Sequence, residues 1–534
     1  MLLERKATYS QASWQASEYR PGVEEPGMMY NAQIATRETR VTLPTGSMAN
    51  NATNRGSQRA ARESDAVIVP RIPGNAGGGK DGTQVGPVQG THLLYAGIGE
   101  EMATKLDRIG ELSASNPKMK FTSLYHLINE DLLRACHQEM DGKKATGVDN
   151  VTKAEYEANL DENLKDLVER LKRKSYKPQP SLRVYIPKAN GKMRPLGMAA
   201  YEDKLVQSTL GKILMAVYEP KFRETMFGFR PNRGQHDALK ELTRLVEKDK
   251  TNYVVDADIK GYFNNIEHER ILELIRFRIT DPNILWLIKK TLTAGVVEDG
   301  KWQPTVKGTE QGNLASPVIA NIYMHYALAL WYDVKFKKTL RGESGLVIFA
   351  DDFVATFQYK EDANRFLEAV KERFALFGLE LEPSKTRLVE FGRFAEENRK
   401  KRGEGKPETF DFLGFTHYCS QSHKTGKFRM KRKTAQKKYR TKLKEMNTWL
   451  KQNRHLRLKD LTSQLNLKLR GHYQYYGVTD NFESMKRFLF ETENLLFKWL
   501  NRRSQKKSYT WEGFGQLLKV FPLAQPRIYF SVYS

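Results

Sequence analysis

Cysteine is nearly absent. The 534-residue chain carries two, Cys136 and Cys419, far apart in the sequence. Two separated thiols build neither a disulfide framework nor a four-cysteine zinc site, and a cysteine-paired nuclease module is excluded with them. Long apolar runs are missing too. No stretch of about 18 apolar residues is present to span a bilayer, and residues 1–10 lack the apolar segment of a secretory signal. The expectation is a reducing, cytoplasmic setting with no membrane partner. Acidic residues are outnumbered: 63 Asp and Glu face 88 Lys and Arg, a formal net charge of +25. Such a surplus predicts a polyanionic partner, because each cation set on a phosphate releases a condensed counterion.

What is present divides the chain into three stretches. Residues 1–92 are rich in Ser, Thr, Asn, Gly and Ala and show no sustained periodicity, as a flexible extension would. Within them Gly74-Asn75-Ala76-Gly77-Gly78-Gly79-Lys80 has phosphate-loop spacing. Asp81 stands where a magnesium-binding hydroxyl belongs and no helix pattern follows, so a linker is the better reading. From about residue 100 the pattern turns globular. Leu124, Leu127, Ile128, Leu132 and Leu133 recur at helical spacing, a charged helical stretch runs to about Lys174, and Arg183-Val184-Tyr185-Ile186 reads as a strand ending at Pro187. Strands and helices alternate to about Phe415, which predicts an α+β or α/β unit. Beyond it, residues 424–444 hold many Lys and Arg and no acidic residue. Tyr439, Leu443, Met446 and Trp449 fall at helical spacing. So do Leu461, Leu465, Leu469 and Tyr473, and then Phe482, Met485 and Leu489. Three amphipathic helices with a basic face are expected there.

The chemistry is carried by acidic breaks in apolar strands. In Leu346-Val347-Ile348-Phe349-Ala350-Asp351-Asp352-Phe353-Val354-Ala355 two strand-like runs flank an Asp pair, which is hairpin organisation. Adjacent anions between apolar residues repel each other and lose hydration, and a divalent metal relieves both costs. A lone Asp-Asp would read as an ordinary acidic turn. The second element changes this: Tyr253-Val254-Val255-Asp256-Ala257-Asp258 is an apolar strand with an acidic end, suited to share a metal cage with the hairpin.

These segments, with others in order, resemble the group II intron-encoded reverse transcriptase/maturase family over residues 100–534. The matching stretches are Gly147-Val148-Asp149, Ile186-Pro187-Lys188, Arg194-Pro195-Leu196-Gly197 and Gly228-Phe229-Arg230-Pro231-Asn232-Arg233. Asp258-Ile259-Lys260-Gly261, Gln311-Gly312, Ser316-Pro317 and Ala320-Asn321-Ile322-Tyr323 follow. Phe349-Ala350-Asp351-Asp352, Ser384-Lys385-Thr386 and Phe412-Leu413-Gly414-Phe415 complete the series. The resemblance implies an α+β right-hand polymerase: fingers and palm over residues 93–420, and a helical thumb, the family's domain X, over 421–534. It implies an RNA-directed DNA polymerase and splicing cofactor. Its partners would be intron RNA, an RNA template with a DNA primer, and deoxynucleoside triphosphates.

It also assigns roles. Asp258, Asp351 and Asp352 would bind two Mg²⁺ ions. Lys188 and Arg194 would hold the incoming triphosphate, and Gln311 would line the nucleotide pocket. Phe263 would exclude a ribose 2′-hydroxyl, and Lys385 would protonate the leaving pyrophosphate. Phe412, Leu413 and Gly414 would form the primer grip. In the thumb, Lys431, Arg432, Lys437, Lys438, Arg470 and Tyr473 would contact RNA. The sequence departs from the family pattern at Phe349, usually Tyr, at Asn264, often Asp, and at Asn313-Leu314-Ala315. Two other readings use the same residues. Retention of the carboxylates, Lys188 and Arg194 argues against a maturase that no longer makes DNA. A host-adopted reverse transcriptase is equally compatible with them.

Overall fold

The computed structural model describes residues 100–187, 193–422, 424–505 and 508–533. The extension over residues 1–92, its glycine-rich loop at 74–80, and Lys188 lie outside the described residues.

Helices α1 (Glu100–Ser115), α2 (Glu130–Glu139), α3 (Lys153–Glu157) and α4 (Leu160–Lys172) precede strands β1 (Ser181–Pro187) and β2 (Met193–Met198). The helical spacing from Leu124 to Leu133 is broken in two. The Asn129 side chain accepts from Leu132 N at 3.0 Å and starts α2 there, leaving Tyr125–Leu127 as a single 3₁₀ turn. Next come α5 (Tyr201–Tyr218), α6 (Gln235–Lys248), β3 (Tyr253–Asp258), α7 (Tyr262–Asn265), α8 (His268–Arg276) and α9 (Pro282–Leu292). Strands β4 (Val296–Glu298) and β5 (Lys301–Gln303) join β1 and β2 in a four-stranded sheet of order β2-β1-β4-β5.

The central sheet is antiparallel, of order β6-β7-β3-β8. It comprises β3 and, after α10 (Ser316–Met324), the hairpin β6 (Ser344–Phe349) and β7 (Asp352–Phe357), and β8 (Arg387–Glu390), with α11 (Lys360–Ala375) between β7 and β8. Both faces are covered, which is why its strands read as near-continuous apolar runs. Phe353, Ala355 and Phe357 face one core with Val255 and Leu346. The alternate residues Val354, Val254, Val347 and Val389 face a second core with Leu239 and Leu242 of α6. Each such buried Val, Leu or Phe side chain contributes about 1.5–3 kcal/mol.

After α12 (Ala395–Lys401), strands β9 (Phe410–Phe412), β10 (Phe415–Gln421) and β11 (Phe428–Thr434) form a third sheet of order β11-β10-β9. Helices α13 (Gln436–Asn453), α14 (Leu458–Tyr476), α15 (Phe482–Leu500) and α16 (Trp511–Val520) then complete the fold. The three amphipathic periods fall on α13, α14 and α15. The basic run does not lie on one helix, since its first half is β11. The second core runs unbroken from α6 and the central sheet through β9–β11 into these helices: Phe412, Met430, Leu450, Leu469 and Met485 belong to it.

Candidate active site

The three expected carboxylates sit at one end of the central sheet. Asp258 ends β3 and stands directly opposite Asp352, the first residue of β7. Ala350 and Asp351 form the two-residue turn of the β6–β7 hairpin, with Phe349 paired to Asp352. Ala350 has φ +57°, a left-handed conformation that costs an L-residue roughly 1–2 kcal/mol. Neighbours hold it there. Thr225 O accepts from Ile348 N at 2.8 Å, and Phe227 N donates to Ile348 O at 2.9 Å. Gly228 lies so close that a Cβ would come within 2.5 Å of Ala350 N, and Asn321 Nδ2 donates to Gly228 O at 2.8 Å. Strain kept in place this way belongs at functional sites.

Lys385 reaches the carboxylates from the turn before β8, which is docked on the end of β3 by Glu382 N donating to Asp258 O at 2.8 Å. Its Nζ forms an ion pair with Asp258 Oδ2. Burial and then the charge of Asp258 push the Asp351 carboxyl above its usual range. Asp352 is pushed up by the surrounding walls, then by Asp351 and Asp258. Burial opposes the charge on Lys385, but Asp258 outweighs it and the ammonium is held above its ordinary range. The site is therefore short of positive charge, and its donors are hard oxygens of the kind magnesium takes. Among the described residues no three His, Cys, Asp or Glu side chains are closed into a ready metal cage; one Asp258 oxygen is turned to Lys385 instead. Asp256, two residues before Asp258, pairs with Arg387 at 3.7 Å on the flank of the sheet.

Of the residues expected to hold the nucleotide, Arg194, Gln311, Phe263 and Lys385 are among the described residues. Arg194 is exposed on β2, and its charge is felt at Asp351. Gln311 O accepts from Gly197 N at 2.7 Å, tying its loop to β2. Gly312, at φ +120°, passes so near Gly197 O that a Cβ would sit 2.2 Å from it. Phe263, half-buried on α7, meets Tyr262 and Phe229 edge-on at 5.6 and 6.2 Å between ring centroids. Phe412 is buried at the end of β9, and Leu413 (φ +49°) and Gly414 (φ +79°) form the tight turn into β10.

Residues 186–417, which contain all these groups, match the family model described as reverse transcriptase (RNA-dependent DNA polymerase). The group II intron-encoded protein LtrA of Lactococcus lactis is 38% identical over 222 residues, 41% of this chain and 37% of that protein. Protein YkfC of Escherichia coli is 32% identical over 225 residues, 41% of this chain and 59% of that protein. Residues 186–417 are thus similar to reverse transcriptases, group II intron-encoded proteins among them. The matched segment spans less than two thirds of the length of these relatives. In family terms the central sheet is the palm, the β2-β1-β4-β5 sheet lies in the fingers, and α13–α15 lie in the helical region that follows.

In that helical region the expected RNA contacts divide. Lys437, Lys438 and Arg470 are exposed and Lys431 is partly so. Arg432 and Tyr473 correct the expectation: both are fully buried. Side chains alternate along a strand, so on β11 Met430, Arg432 and Thr434 point inward while Lys431 and Lys433 point out. Arg432 lies opposite His417 and donates to Thr243 Oγ1 of α6 at 2.8 Å. Tyr473 is on the core stripe of α14 with Leu465 and Leu469. His472 stacks on Phe488 at 4.0 Å, and burial, then Lys442, hold its pKa down at about 3, a packing role. Arg230, within the Gly228–Arg233 motif, is also structural: buried, it donates to both oxygens of Glu219 at 2.8–3.1 Å. Sequence reasoning missed Tyr475, whose hydroxyl and ring contact Leu413 and Phe415 at the turn expected to grip the primer. Its helical spacing beside Tyr473 and Tyr476 gave no sign of this.

Proposed function

We propose that this chain is an RNA-directed DNA polymerase that extends a DNA primer on an RNA template and also binds structured intron RNA as a splicing cofactor. The observation that carries the reading is the meeting of Asp258, Asp351 and Asp352 at one end of the palm sheet, with Lys385 paired to Asp258 and the charge of Arg194 felt at Asp351. Two magnesium ions held by these carboxylates would supply the charge that activates a primer hydroxyl and stabilises a leaving pyrophosphate.

The chain's own residues account for the rest. Arg194, with Lys188 preceding it in the sequence, binds triphosphate oxygens. Gln311, fixed to β2 through its carbonyl, orients the nucleotide. Phe263, backed by Tyr262 and Phe229, leaves no volume for a 2′-hydroxyl. Lys385 is positioned beside Asp258 to donate a proton to the leaving group. The turn at Leu413 and Gly414 seats the primer end. The exposed cations Lys437, Lys438 and Arg470 and the partly exposed Lys431 contact RNA phosphates. We place the start of the thumb near residue 421, within the β10–β11 hairpin.

The purified chain, given a primed RNA template, deoxynucleoside triphosphates and magnesium, should extend the primer, and chelation of the metal should stop it. Absence of extension over a range of magnesium and manganese concentrations would rule the reading out.

A further inference from the structure

The primer-grip turn is built from two left-handed residues, Leu413 and Gly414. Leucine rarely adopts that conformation, so the surroundings must impose it. They come from α14. Tyr475 Oη donates to Leu413 O at 3.1 Å. The Tyr475 ring lies parallel to Phe415, the next residue of the turn, at 6.3 Å and 6°. A Cβ on Gly414 would stand 3.2 Å from Tyr476 Oη and 3.6 Å from Tyr475 Cε1, so the turn rests directly on this pair of tyrosines.

Tyr475 is held from its other end as well. Its carbonyl accepts from His236 Nε2 at 2.9 Å, and the His236 ring, at the start of α6, stacks on Phe530 at 5.0 Å and 23°. Helix α6 packs beneath the palm sheet. One residue therefore touches α6 through its backbone, the grip turn through its hydroxyl, and Phe415 through its ring. Its phenol, raised to about 12 by burial and then by Asp352, is also within electrostatic reach of the catalytic hairpin.

We propose that Tyr475 is a positioning residue: it transmits the placement of the thumb to the Leu413–Gly414 turn, and so sets the primer 3′ terminus against the carboxylates. This rests on the polymerase reading above. A hydrogen bond from a rigid phenol to a strained turn fixes the turn only while α14 keeps its station. Displacement of the thumb then loosens the grip, and return of the thumb restores it.

The test uses the full chain with Tyr475→Phe, which keeps the ring and removes the hydroxyl, and His236→Ala, which frees the carbonyl. Single-nucleotide extension is measured at saturating primer–template with a matched primer and with one 3′-terminal mismatch, alongside primer–template affinity and the thermal midpoint. For Tyr475→Phe we expect affinity within about twofold of wild type and an extension rate lower by about threefold to tenfold, the size of one hydrogen bond. The loss should fall more on the matched primer, narrowing discrimination against the mismatch, and His236→Ala should shift both in the same direction. An unchanged rate overturns the proposal. So does an equal loss on both primers, or a loss confined to affinity or to the thermal midpoint. A wild-type chain that extends no primer sinks the polymerase reading itself, whereas an active wild type with an unaltered Tyr475→Phe sinks the coupling alone.

Discussion

At the scale of single residues, selectivity for the sugar is assigned to Phe263. A ring held edge-on by Tyr262 and Phe229 excludes by volume, and a smaller side chain should admit a 2′-hydroxyl. Phe263→Val should raise ribonucleotide incorporation relative to deoxyribonucleotide by on the order of tenfold, as pocket volume typically discriminates; competitive primer extension measures the ratio. Asp203 of α5 gives a second residue-scale prediction, about stability. It accepts from Tyr176 Oη and from Gln179 N at 2.9 Å, and burial raises its carboxyl to about 7. The folded state thus holds a proton that the unfolded chain releases near pH 4. Stability from this group is present below about pH 4 and declines as pH rises to about 7. The unfolding midpoint of wild type relative to Asp203→Asn should fall across that window and level off above it. That Asp258 would stand beside Asp351 and Asp352 was legible in the sequence because an apolar strand with an acidic end accompanies an Asp-bearing hairpin; the Asp pair alone would read as an acidic turn. Tyr475 was not, because an aromatic at helical spacing looks the same whether it packs a core or props a turn on another element.

At the scale of elements, the strand nature of β11 decides which cations face outward. The run over residues 424–444 announces its charge but not its period. A helix would spread those cations around a face, whereas the strand sorts them by parity and buries Arg432 beneath Lys431 and Lys433. The contrast can be tested. Replacing Lys433, Lys437, Lys438 and Arg440, all exposed, with Gln should weaken RNA binding. It should also flatten the dependence of log affinity on log salt by about one unit for each phosphate left without its cation. Arg432→Gln should instead lower the thermal midpoint, since it empties a buried site bonded to Thr243, at a cost of about 1–3 kcal/mol. Equal salt slopes in the quadruple variant and wild type would make the exposed run a solvated face. The helix expected across Leu124 to Leu133 was divided for a related local reason: the Asn129 cap is a single side chain that apolar periodicity does not register.

At the scale of the whole molecule, two cores share one palm sheet, and one of them continues into the helical region. Helix α6, the palm strands, β9–β11 and α13–α15 are packed into the same apolar body, the continuity on which the proposed coupling of α14 to the β6–β7 hairpin rests. The alternation of strands and helices made a mixed α and β unit legible, and the motif series narrowed it to α+β. The continuity of the second core was not, because residues far apart in sequence supply it and no local pattern reports their meeting. The central claim is that three carboxylates at the end of that shared sheet perform nucleotidyl transfer. Its most direct test is the rate of nucleotide addition to a primed RNA template by Asp351→Ala, with template affinity measured on the same protein. The account predicts a rate lower by roughly a thousandfold, equivalent to about 4 kcal/mol of lost transition-state stabilisation, with affinity nearly unchanged. Addition at the wild-type rate by Asp351→Ala would contradict it.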